Sequence, residues 1–73
     1  MPFIIDYFTL ETTKRPNDAT PTTSYFVRYR IRNTDKPEAG YYGEKKLDIN
    51  ETDSLSDILA NVETTIKNSE GIS

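Results

Sequence analysis

The chain has 73 residues and a mass of 8.4 kDa, with 34% hydrophobic and 29% charged residues and a formal net charge of −3. It contains neither Cys nor His, which excludes disulfides, thiolate metal sites, thiol nucleophiles and the commonest general base. No apolar run approaches the roughly 20 residues that span a bilayer, and the N-terminal MPFIID has no basic region, so a soluble cytoplasmic protein without a membrane partner is expected.

Residues 3–13 (FIIDYFTLETT) are rich in aromatic, β-branched and Thr residues and predict a first strand. Phe3, Ile5 and Tyr7 share one parity while Ile4, Phe8 and Leu10 share the other. Two apolar faces fit a central strand, a bulge near Asp6, or an outer face that meets a partner; a central position is the expectation. Residues 14–23 (KRPNDATPTT) predict a flexible loop, a natural second contact for a partner.

Residues 24–33 carry the clearest pattern. Tyr25, Val27, Tyr29 and Ile31 alternate with Phe26, Arg28, Arg30 and Arg32, the period of a strand with one apolar and one polar face. A turn over residues 34–40 (TDKPEAG) leads to a third strand over 41–49, with a break or bulge expected at Gly43. Tyr42, Glu44, Lys46 and Asp48 share its outer face. Ser54 is a good helix N-cap, and Leu55, Ile58, Leu59, Val62 and Ile66 form one apolar stripe of a helix over 55–68. Beyond Asn68 and Gly71 the last residues should fray.

The expected fold is therefore α+β: a three-stranded antiparallel sheet packed on one C-terminal helix, β-β-β-α, in a single domain. One helix covers one sheet face and leaves the other open. A core this small supplies only about 3–5 kcal/mol, so homodimerisation or partner binding is expected.

The acidic stretch 48–57 (DINETDSLSD) does not fit a calcium loop, because Asp53 stands where glycine is needed and Leu59 where glutamate is needed. It reads as a helix start. Asn50-Glu51-Thr52 is a chance sequon, Asp53 and Asp57 are solvated carboxylates, and no Ser or Thr has a base to activate it. No enzyme, cofactor or metal is expected.

Charge is divided unevenly. Residues 1–46 hold eight Lys+Arg against six Asp+Glu, whereas residues 47–73 hold one against six. The β-β-β-α order, with Tyr25-Phe26-Val27-Arg28-Tyr29-Arg30-Ile31 before a charged third strand and a helix, resembles the three-stranded DNA-binding domains of tyrosine integrases and of a family of plant transcription factors. The resemblance covers residues 24–68 and implies a sheet face laid in the major groove. The acidic charge, with Glu44 and Asp48 on the would-be reading face, departs from that pattern, and no site residues are transferred.

The leading expectation is a non-enzymatic module that binds an unidentified protein partner through the open face, using Phe26, Arg28, Arg30, Arg32, Tyr42 and Lys46. Nucleic-acid binding through the same face is the alternative. A third reading, by analogy with small inhibitors from mobile elements, has the acidic helix (Asp53, Asp57, Glu63) imitate nucleic acid. Against a functional sheet face stands a solvated surface on which Glu44 and Asp48 pair with the arginines across the strands. Against the third reading stands a helix whose polar face keeps the protein soluble.

Overall fold

The strict alternation of β2 (Thr22–Asn33) buries Val27, Tyr29 and Ile31 on one side and turns Phe26, Arg28, Arg30 and Arg32 to the other. In a computed structural model, which describes residues 2–72, β2 is the middle strand of an antiparallel sheet ordered β1-β2-β3. Its neighbours are β1 (Phe3–Arg15) and β3 (Tyr41–Leu47), and α1 (Leu55–Glu70) follows. The β-β-β-α architecture is the expected one. Short connections make consecutive strands neighbours, so the middle place falls to β2 and β1 lies at an edge.

The two parities of β1 come from a bulge. The register with β2 shifts between Ile5 and Tyr7, leaving Asp6 as the extra residue. Phe3 and Ile5 before the bulge, and Phe8 and Leu10 after it, oppose Asn33, Ile31, Tyr29 and Val27. All four side chains therefore meet the same core. A central strand is not needed to explain them.

The ladder also runs further than the composition suggests, to Arg15↔Thr22. β-Branched Thr12, Thr13, Thr22 and Thr23 sustain it, and only residues 16–21, bounded by two prolines that lack an N–H, connect the strands. Because β3 pairs only with Tyr25 through Ile31, the far end of the β1–β2 hairpin is a two-stranded arm. It gives the molecule extents of 49 × 23 × 16 Å.

Pairing of β3 is unbroken through Gly43, which lies opposite Tyr29. The expected bulge is absent because the glycine serves close approach instead: a Cβ there would fall 2.3 Å from Tyr29 Cζ. Before β3, a 3-10 turn at Pro37–Ala39 follows buried Asn33. Asn33 Oδ1 accepts from the backbone N–H groups of Asp35 and Lys36, each at 2.9 Å, so its burial leaves no orphan acceptor.

Ser54 Oγ accepts from the Asp57 N–H at 3.2 Å and caps α1. Val62 and Ile66 are buried against Val27, Tyr29 and Ile31, and Ile58 packs at the margin. The stripe does not stay covered: Leu55 is 68% exposed and Leu59 38%. At the other end, Gly71 takes φ 67° and the Ile72 N–H donates to the Lys67 carbonyl at 3.0 Å. This left-handed cap folds Ile72 back into the core. The expected fraying does not reach Ile72.

The helix is fastened to the sheet by a carboxylate. Tyr29 donates its hydroxyl proton to Glu70 Oε1, and Tyr41 donates to Oε2 at 2.8 Å. An acidic residue opposes the dipole at a helix C-terminus; the two phenols account for its placement. Burial first, and then the Glu70 hydrogen bond, push the Tyr29 phenol up to about 12, and Tyr41 moves up for the same reasons. An unfolded tyrosine ionises near 10. From about pH 10 to about 12 the unfolded chain therefore binds fewer protons than the folded one, and stability falls as pH rises. Thermal melting temperatures should drop through that window. Tyr29→Phe should remove much of the drop, and an undiminished drop in that variant would refute the assignment.

Candidate functional site

The open face is built from rows that cross the sheet. Ladder pairing sets Tyr7, Arg30 and Tyr42 in one row, Thr9, Arg28 and Glu44 in the next, and Glu11, Phe26 and Lys46 in a third. Arg32 lies beyond the first row, opposite Ile4. All six residues expected to bind a partner, Phe26, Arg28, Arg30, Arg32, Tyr42 and Lys46, thus share one surface.

Arg28, Arg30 and Arg32 each have a carboxylate partner. Arg28 Nε lies 3.6 Å from Glu11 and 3.5 Å from Glu44, held from both flanking strands. The bulge turns Asp6 toward β2, where its two oxygens lie 3.7 Å from Arg30 Nε and 3.4 Å from Arg32 Nε. Pairs this exposed each contribute about 0–1 kcal/mol. Their consequence is orientation: three long side chains are laid across the sheet. Asp48, expected among the acidic partners, lies past the end of β3 and makes no ion pair among the described residues. Its place is taken by Asp6 and Glu11.

Arg30 is the most covered of the three. Its guanidinium carbon stands 4.8 Å from the Tyr42 ring centroid, a cation–π contact. Tyr42 is 70% exposed and Tyr7, across β2, is 49% exposed. Partial burial and the neighbouring Tyr42 raise the Tyr7 phenol above its ordinary value. Between the two rings runs a shallow groove of about 580 Å³, lined by Tyr7, Thr9, Glu11, Arg28, Tyr42 and Glu44 together with Tyr29 and Gly43.

Asp6, Tyr7 and Glu11 belong to this site although β-strand composition alone does not single them out. Tyr7 was grouped with Phe3 and Ile5 by parity, and only the bulge separates them. Glu11 could be found by aligning β1 against β2, since Thr9↔Arg28 puts it diagonally beside Arg28.

The remaining candidates do not join the open face. The connection 16–21 lies at the tip of the arm. On α1, Glu63 pairs with Lys67 at 3.4 Å, and Asp57 lies in the capped first turn. Asn50 Oδ1 accepts from the Thr52 N–H and hydroxyl, and Asp53 closes that turn onto the Asn50 carbonyl. These contacts explain the acidic stretch as a turn leading into a helix. Among the described residues no group of three or more acidic side chains is placed to hold a metal ion, and no helix is long and apolar enough to cross a membrane.

Fold and site together define a small α+β domain with one uncovered, tyrosine- and arginine-bearing sheet face. The chain matches no protein-family model, no curated protein and no solved structure.

Proposed function

We propose that this chain is a small, non-enzymatic cytoplasmic module that binds another protein through its open sheet face. The observation that carries the reading is the row Tyr7–Arg30–Tyr42: two exposed rings flanking an arginine already laid against one of them. Tyr and Arg are the residue types enriched at binding hot spots. Orientation by Asp6, Glu11 and Glu44 lowers the ordering cost of binding.

Charge favours a protein over nucleic acid. Around the groove, Arg28, Arg30, Arg32 and Lys46 stand against Asp6, Glu11 and Glu44, four cations against three carboxylates. Phosphates would have to displace carboxylates already in place. A partner presenting apolar groups beside a few carboxylates fits the groove better.

Arg30→Ala and Tyr42→Ala should each weaken partner binding about tenfold or more, with an unchanged circular-dichroism spectrum. Partner binding should vary only weakly with salt. Light scattering of the protein with a random pool of single- and double-stranded DNA should show no change in mass. A DNA-dependent mass that disappears steeply with salt would replace this reading with nucleic-acid binding, and full binding by both variants would remove the face from consideration.

A further inference from the structure

A second surface lies at the outer edge of β1 and is independent of the open face. We propose that two copies of the chain pair β1 against β1, antiparallel, into one six-stranded sheet, with their α1 helices side by side across the two-fold axis.

The two edges of the sheet are built differently. β3 has seven residues and carries three consecutive charges, Glu44, Lys45 and Lys46, with Lys45 on the core side opposite Val27. A short strand and an inward-facing charge are devices that keep an edge from pairing. β1 has neither. Past its bulge it runs regularly from Tyr7 to Arg15, and residues 7–13 (YFTLETT) hold one charge among aromatic, Leu and Thr side chains. No strand pairs with its outer side among the described residues.

The exposed part of the helix stripe borders this same edge. Leu55 and Leu59, with Ser56, Ala60 and Glu63, form an apolar groove against Phe8 of β1. A strand added beside β1 would bring its own helix next to these leucines. In antiparallel edge pairing the axis is perpendicular to the sheet, so both helices lie on one side and both open faces on the other. Self-complementarity of this kind is what a two-fold interface requires.

Area points the same way. A compact monomer of this mass exposes about 4,600 Å², whereas the chain exposes 5262 Å². The excess, roughly 650 Å², approaches the share of about 800 Å² that one partner contributes to a standard interface. The arm supplies part of the excess; the uncovered Leu55, Leu59 and β1 edge supply an apolar part that a second copy would remove from water.

Sedimentation of the full chain across a concentration series should show the mass double from 8.4 kDa. Leu55→Glu/Leu59→Lys keeps the net charge and adds a favourable i,i+4 pair to the helix, so it should fold. It should raise the dissociation constant about tenfold or more for each leucine. In the wild type, alternate β1 amides that point away from β2 should gain hydrogen-exchange protection as concentration rises. A monomer at every concentration would overturn the proposal. So would a dimer unaffected by the leucine changes but broken by Tyr42→Ala, which would place the contact on the open face.

Discussion

At concentrations where the chain is monomeric, Ile66→Ala is expected to leave most of it unfolded at 25 °C, while Leu55→Ala changes stability by less than about 0.5 kcal/mol. Both residues belong to one helical stripe in the sequence. Ile66 is fully buried among Val27, Tyr29 and Ile31, whereas Leu55 stands largely in solvent. Truncating a buried Ile costs about 2–5 kcal/mol, from lost burial and the cavity left behind. That range matches the whole stability of about 3–5 kcal/mol that one core of this size supplies. Among the described residues only six apolar side chains are buried, so few neighbours are free to close the gap. Urea titration followed by circular dichroism reads both variants. Comparable losses at the two positions would mean that α1 sits on the sheet in a different rotation.

Gly43→Ala is the second large effect, and an unusual one, since alanine in place of glycine ordinarily favours a strand. The added Cβ would fall 2.3 Å from Tyr29 Cζ and 2.4 Å from Cε2. The ring has little room to yield, because it is buried on the core side and its hydroxyl is bound to Glu70. Displacing it loses that hydrogen bond to a carboxylate, worth about 1.5–3 kcal/mol, on top of about 1–3 kcal/mol for overpacking. The urea midpoint should fall with little change in slope. Tyr29→Phe should not rescue the variant, because the clashing ring carbons remain. A midpoint equal to wild type would show that the ring does not lie over the glycine in solution.

These two positions also mark how far local pattern carries. The alternation from Tyr25 to Arg32 was legible because a half-buried strand must repeat every two residues, and it correctly separated Val27, Tyr29 and Ile31 from the arginines. Ser54 was legible as a cap because the first turn of any helix needs an acceptor for its free N–H groups. Gly43 was visible as an exception, but a glycine in a strand fits both a bulge and a close approach. Which applies depends on Tyr29, fourteen residues earlier in the chain and directly opposite in the ladder.

The candidate site divides in the same way. Phe26, Arg28, Arg30 and Arg32 share a face by strand parity, and Tyr42 and Lys46 share one on β3. That the two sets meet, and that Asp6, Tyr7 and Glu11 join them, depends on strand order and on one bulge. The arginines and Glu44 were therefore foreseeable, but not Asp6 and Glu11 as their other carboxylates. Ile72 is a similar case: its burial follows from the left-handed turn at Gly71 and from contacts with residues on other elements.

By itself, then, the sequence determined the element types, the apolar face of β2, the helix start and the lack of any thiol or imidazole, because each depends on residue type or on spacing within one element. Tertiary structure alone decided that β2 is central, that a bulge reconciles the two halves of β1, that Glu70 joins two tyrosines, and that Leu55 and Leu59 are left uncovered. Those outcomes depend on register and on which surfaces meet, quantities that no single segment encodes.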